Sequence, residues 1–509
     1  MLAACMVWLP SSAEAQTADE TEDGARQPQR RQPAVRAPGT PPADVEDSVA
    51  AAPGRRNAGL PPNLNRGPRI GRHSIIRWSE RHARPISDRE RGLFSPIKHI
   101  RLDRDDHVWL TLSGEERNRT LVEDIQSLGT ATRPTQIVSQ FRHRYGVDAH
   151  LGDHLRLFGE LTYGNVLSDN SAAGVNAQVR QDNGPEPSEL LAEIGTDTAA
   201  GHAGLIVGRQ RIHLGSGAIF ALGNAQNFAR SFFGARAYYV TPKTRFEAFT
   251  LRPTAFRFGA FNDGIDRSVA ARGLYLSTAL PRTPSASLNL DGFLIDYRDE
   301  ASAILRQPSV EQRLTYGARI YGFLGPVQID STFAAQSGRI ADRQVRAWGM
   351  HSVARYRIPN APLGGTVIVR NEIRSGGSRA AHTIRTYNPL YPGQLHPTFG
   401  QLLGGTNYYS IGGFYSIAPA RPLEVIAGIR GFWRYSVADG YALPYPTSVT
   451  NTRTTGRPVG TLPSLGVRWL ATPHLQVNAV YNRLFSSRSH RALGQRDLDS
   501  LIVQTSFIF

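Results

Sequence analysis

Arginine is the residue type in this sequence whose spacing could do chemistry. Lys98 and Lys243 are the only lysines, so nearly every permanent cation is a guanidinium. Arg142 and Arg144 stand two apart, with Asp148 on the same parity. Arg156 shares a parity with Glu160, and Arg370 with Glu372. Arg236, Arg319, Arg430, Arg434 and Arg468 lie in similar alternating stretches, as do Glu247, Asp330 and Glu424. A guanidinium offers a planar fork of donors that matches a carboxylate. Many such forks in a row would attract a polymer carrying one carboxylate per unit. Many weak contacts would also let it leave, which transport requires. The bland alternative is that these charges pair across strands and brace the wall. Most are expected to do so, with a minority facing a conduit.

Other chemistries find little support. His351 neighbours Ser352 and Ser489 neighbours His490, but adjacent residues on a strand point to opposite faces, so neither couple is a nucleophile with its base. His150 and His154 flank a turn without a third ligand or an H-E-x-x-H spacing. No phosphate-binding loop, nucleotide fingerprint or zinc ligand set is visible, and no enzyme, cofactor or metal is expected. The sequence pI is about 10.3, yet the arginines are spread along the chain and form no single patch, so a nucleic-acid partner is not expected.

The arginines sit on stretches that alternate with period two. Phe141, His143, Tyr145, Val147, Ala149 and Leu151 fall on one face of the first clear stretch, and Arg142, Arg144, Asp148 and His150 on the other. After Gly152-Asp153, Leu155, Leu157, Leu161 and Tyr163 alternate with Arg156, Glu160 and Thr162. The pattern predicts eighteen strands, at 107–119, 137–151, 154–168, 203–213, 231–241, 244–252, 255–261, 269–279, 287–298, 312–324, 326–337, 344–358, 363–375, 406–418, 422–436, 462–472, 474–486 and 498–509. Short turns at Gly152-Asp153, Thr241-Pro242, Gly325-Pro326 and Thr472-Pro473 separate long polar segments at 168–200, 214–230, 299–311, 376–405 and 437–461. Short turns on one rim and long loops on the other is the layout of an outer-membrane barrel. Eighteen strands would enclose an aqueous lumen. Arginine on the lipid side near the midplane would cost roughly 2–4 kcal/mol, which favours the lumen for the basic face.

Composition agrees with an all-β chain. Of 509 residues, 49 are Gly and only three are Met. Mean hydropathy is −0.32, and no run of about 18 apolar residues is present to form a transmembrane helix. The single cysteine, Cys5, precludes an intrachain disulfide. Residues 1–15 read as a secretory leader, with an apolar stretch from Leu2 to Leu9 and a cleavage site at Ala13-Glu14-Ala15. Residues 16–72 carry nine prolines, nine arginines and seven acids, and are expected to form a disordered periplasmic tail ahead of a barrel at 73–509. At the far end, Leu501, Val503, Thr505, Phe507 and Phe509 share one face. Phe507 and the last residue, Phe509, read as the assembly signal that barrel-insertion machinery recognises.

Several stretches carry a resemblance to a known family. Arg77-Trp78-Ser79-Glu80 and Pro96-Ile97-Lys98-His99-Ile100 precede the barrel. Gly208-Arg209-Gln210 and Arg230-Ser231-Phe232-Phe233-Gly234-Ala235-Arg236 follow, then Leu251-Arg252-Pro253 and Phe261-Asn262-Asp263. Tyr387-Asn388-Pro389-Leu390-Tyr391-Pro392 and Phe432-Trp433-Arg434 complete the series. In this order, over about residues 75 to 509, the chain resembles the alginate-export porins of Gram-negative bacteria. The resemblance implies a monomeric eighteen-stranded barrel whose arginine-lined constriction passes a polyuronate outward. It also adds Arg209 and Arg252 to the expected lumenal set, although Leu205 and Val207 share the parity of Arg209. The long Pro/Arg tail and many of the loops depart from the family pattern. The implied partners are outer-membrane lipid and lipopolysaccharide, the insertion machinery, an anionic polysaccharide or small anions, and periplasmic export components. Two other readings stay open: an uptake porin for small anionic solutes, and a structural barrel of an envelope complex.

Overall fold

The computed structural model describes residues 69–70, 73–79, 92–123, 135–168, 180, 182–302, 304–305, 307–378, 380–393, 405–420, 422–439, 456–492 and 496–509. The leader expected at 1–15 and nearly all of the tail expected at 16–72 lie outside the described residues. Of that tail, Arg69–Ile70 is described, paired antiparallel with His73–Ser74.

Eighteen antiparallel strands close into one barrel. In chain order they are β1 Val108–Glu123, β2 Gln136–Leu151, β3 Leu155–Ser168, β4 Asn183–Asp197, β5 His202–Gln210 and β6 Phe232–Val240. β7 Thr244–Ala255, β8 Val269–Ala279, β9 Ala286–Ser302, β10 Ser309–Leu324, β11 Val327–Ile340 and β12 Arg343–Arg357 follow. β13 Thr366–Arg374, β14 Tyr408–Ala420, β15 Leu423–Arg434, β16 Pro458–Leu470, β17 Leu475–Ser486 and β18 Leu498–Ile508 complete the wall. Each strand pairs with the next. The seam joins β18 to β1, running from Ser500 opposite Glu123 to Ile508 opposite Glu115.

Alternation sets which side faces out. Tyr145 and Val147 of β2, Leu157 and Leu161 of β3, and Leu501 and Val503 of β18 are exposed on the outer wall. Their neighbours Arg144, Asp148, Arg156, Glu160 and Gln504 are buried on the inner side. The C-terminus and the eight short connections share one rim, including 152–154, 241–243, 325–326 and 471–474. Gly152 and Gly325 take φ values of +66° and +56° in two of these turns, a conformation that glycine adopts without penalty. The opposite rim carries the long connections, with 341–342 and 303–308 as its short links.

Two strand assignments from the sequence change. The stretch 255–261 is no strand: β7 stops at Ala255, and Gly259 and Phe261 take φ of +121° and +55°, which a ladder does not accommodate. Residues 183–197, expected within a polar loop, form β4 instead. Pro185 and Pro187 interrupt its sequence signal. A bulge places both Ser188 and Glu189 on the inner side, which breaks the period-two pattern. The stretch 344–358 forms β12 at Arg343–Arg357.

Candidate functional site: the lumenal surface

Connections from the long-loop rim fold into the barrel. The segment 211–231 leaves β5 and returns to β6, yet it touches strands far from either. Arg117 and Arg119 of β1 donate to the carbonyls of Asn224 and Ala225, each at 2.5 Å. Arg142 of β2 donates to Asn224 Oδ1 at 2.8 Å. At its other end Ser216 Oγ lies 3.1 Å from Thr332 Oγ1 of β11. The segment therefore crosses the lumen. The 375–407 connection pairs with it: Tyr391 N donates to Ile219 O at 2.9 Å and Gly393 N to Gly217 O at 2.7 Å. Under this roof Phe220, Phe249, Tyr275, Phe293 and Tyr391 join one apolar cluster, so part of the bore is packed like a protein core.

A second inserted piece comes from before β1. Ile75, Ile76 and Trp78 are buried against Phe158, Tyr238 and Ile508 inside the wall. Arg156 donates to Trp78 O at 2.5 Å, and the Arg236 guanidinium stacks over the Trp78 ring at 4.7 Å. Arg77 donates to the carbonyl of Phe509 at 2.7 Å.

The lumenal arginines divide by their partners. Glu115 accepts from Arg142 and is also ion-paired with Arg144. Arg156 binds Asp148 through Nε at 2.8 Å and Glu193 through Nη1 at 3.2 Å. Arg319 spans Asp330 at 2.6 Å and Asp291 at 3.1 Å. Arg211 bridges Glu160 at 2.6 Å and Glu189 at 3.1 Å. Glu372 pairs with Arg374 at 2.6 Å, and Glu424 with Arg468 at 2.6 Å. Arg434 donates to the carbonyls of Val437 and Asp439 at 2.7 and 2.6 Å.

Arg370 and Arg430 are held differently. They flank Gly412 on one rung of β13, β14 and β15. Both guanidiniums stack on Phe414, at 5.4 and 5.9 Å from its centroid, and Arg430 also lies 5.9 Å from Phe432. Among the described residues, no nitrogen of the Arg430 guanidinium has a hydrogen-bond partner, and the same holds for Arg236. An aromatic face attracts a cation without consuming its N–H donors.

Eight of the ten expected basic positions face inward: Arg142, Arg144, Arg156, Arg236, Arg319, Arg370, Arg430 and Arg434. Arg209 and Arg252 are corrections. Arg252 is exposed, and it pairs in register with Phe233. Arg209 pairs in register with Phe233 and with Leu190, which is 62% exposed on the outer wall. Asp263 of the β7–β8 connection covers Arg209 at 2.7 Å. Period-two parity places both arginines outside, as the parity of Leu205 and Val207 indicated. Arg117, Arg119, Arg245, Arg313 and Arg374 are inward residues that the sequence reading passed over. Trp109, Thr111, Ser113, Glu115, Arg117 and Arg119 alternate cleanly, and that signal was available for β1.

Residues 108–503 match the alginate export family. The chain belongs to the alginate export family. No curated protein matches it. Among solved structures, OccK9 (OpdG) of Pseudomonas aeruginosa is 12% identical over 79% of this chain and 98% of that one, at a TM-score of 0.53. The outer-membrane protein OpdK of the same organism is 11% identical over 79% and 98%, at a TM-score of 0.52, and its structure with vanillate is also similar. At these identities the likeness is one of fold. This alginate export family member is an outer-membrane β-barrel of a Gram-negative bacterium and forms a channel.

The charge pairs brace this channel. Replacing Arg156 with alanine leaves Asp148 and Glu193 buried without their cation. Breaking such a pair costs about 3–5 kcal/mol. The variant is expected to unfold at correspondingly lower denaturant in detergent micelles, and an unchanged midpoint would contradict the bracing role.

Proposed function

We propose that this alginate export family member passes an anionic, polyuronate-like polysaccharide outward, and that Arg370 and Arg430 are the groups that meet its carboxylates. The carrying observation is the pair of guanidiniums stacked on Phe414 across Gly412, with the donors of Arg430 not taken up by any described side chain. Gly412 adds no side chain between the two, so both guanidiniums lie on one rung and pack beside the same Phe414 ring. A carboxylate pairing with Arg430 would displace no acid from it, whereas the acid-paired arginines would first have to give up their partners. The inserted segments narrow the bore and confine a chain to the remaining wall.

Single channels in planar bilayers test this reading. Anion selectivity with block by oligouronates is the expected result. Anion selectivity without any response to oligouronates would favour uptake of small anionic solutes, and cation selectivity would remove both readings.

A further inference from the structure

The outer wall carries a basic surface unrelated to the lumen. On β8, β9, β11 and β12, Arg272, Arg298, Arg339 and Arg346 are all exposed and all on the outward parity. Each lies one to four residues from the long-loop end of its strand. Sheet register gathers them on two neighbouring rungs. Arg272 pairs with Asp296, Asp296 with Leu314, Leu314 with Ser337, and Ser337 with Arg346. One rung outward, Arg298 pairs with Gln312 and Gln312 with Arg339. Arg252 on β7 extends the belt, with its guanidinium turned to the Arg267 carbonyl. Two exposed acids share this surface: Asp296 stands opposite Arg272, and Glu300 lies 3.6 Å from Arg298 with both side chains half exposed.

The next rungs toward the middle of the wall change character at once. Leu274 pairs with Leu294, Leu294 with Tyr316, and Ala335 with Trp348. Beyond them Leu276, Ala318, Phe333 and Met350 continue an uncharged surface. The guanidiniums therefore stand at the upper edge of the lipid-facing band, where the cost of an arginine falls away. Among the described strand residues, this cluster of exposed arginines lies on β7–β12. On the far wall Arg483 is ion-paired with Asp499 at 3.4 Å.

We propose that this belt on β7–β12 binds the phosphate groups of an outer-leaflet glycolipid, with the acyl chains lying on the apolar rungs below. Charge, depth and geometry agree. Forked donors match phosphate oxygens, and glutamines between them supply neutral donors. Position on the long-loop rim puts the belt in the leaflet that faces away from the C-terminus. Two rungs of cations spaced along a sheet suit a ligand carrying more than one phosphate.

The test uses the full-length protein and bisphosphorylated lipid A, with binding read by native mass spectrometry after delipidation and back-titration. The combined variant Arg272→Gln, Arg298→Gln, Arg339→Gln and Arg346→Gln is expected to bind about tenfold more weakly or worse. Arg483→Gln, on the far wall, should bind as the parent does. If the combined variant does not assemble, the pairs Arg272→Gln with Arg298→Gln and Arg339→Gln with Arg346→Gln are read separately, each expected to lose part of the affinity. Undiminished binding by the assembled variants would overturn the proposal, as would equal binding of dephosphorylated lipid A. Displacement by inorganic phosphate at equal affinity would show a free-phosphate site and overturn it too.

Discussion

Changing Arg370 and Arg430 together to glutamate is expected to invert the selectivity of the channel. The double change turns two positive charges on one rung of the wall into two negative ones. Charges in a low-dielectric bore focus the field and set the local ion concentration, so the anion-to-cation permeability ratio should fall by on the order of tenfold or more. The shift should be large at low salt and shrink in strong salt, because the screening length drops from about 10 Å at 0.1 M to about 3 Å at 1 M. Arg430→Lys separates charge from shape. Lysine keeps the positive charge but loses the planar fork and the flat stack on Phe414 and Phe432. Selectivity should persist while oligouronate block weakens. If the double glutamate variant keeps its reversal potential, these arginines do not face the conduit.

Removing Phe509 should have the second large effect, on assembly. Its backbone exchanges two hydrogen bonds with Gly114, both at 3.0 Å, and so ends the seam between β18 and β1. Its ring stacks on Phe94 at 4.6 Å. The ring also lies where a β-carbon on residue 114 would go, so a side chain there would push the ring away. Deleting Phe509, or replacing it with Asp, is expected to remove most of the heat-modifiable folded species from the outer membrane. Phe509→Tyr should assemble nearly as well as the parent. Gly114→Val attacks the same contact from the other strand and should mimic the deletion. Normal folded yield in the deletion and in Gly114→Val would show that the seam closes without this contact.

Much of the wall was legible because a membrane barrel obeys one rule strongly. A residue either faces lipid or it does not, and the period of two follows. The count of eighteen nonetheless rests on two offsetting errors. Proline and a bulge hid β4, and the aromatic residues of 256–261 imitated a strand that Gly259 and Phe261 then break. The lumenal arginines of β2, β3, β13 and β15 could be read from parity alone. Arg209 and Arg252 entered through family likeness against their own parity, and parity was the better guide. What the sequence could not express is the inside. Phe249, Tyr275 and Phe293 look misplaced on an inner wall until the 211–231 and 375–407 connections cover them. Those contacts join residues more than a hundred positions apart, such as Ser216 with Thr332 and Arg117 with Asn227, and no local pattern announces them.

The inserted 73–79 segment also needs a way in. Trp78 lies within the ring of strands, between Arg156 and Arg236, while the neighbouring Arg77 holds the very last residue of the chain. A closed hoop of backbone hydrogen bonds offers no slit through which that peptide could be drawn in sideways later. The segment therefore enters through the open mouth at the rim that carries the C-terminus, where Arg77 meets Phe509. The β18–β1 pairing joins the two ends of the wall, and such non-local pairings form slowly.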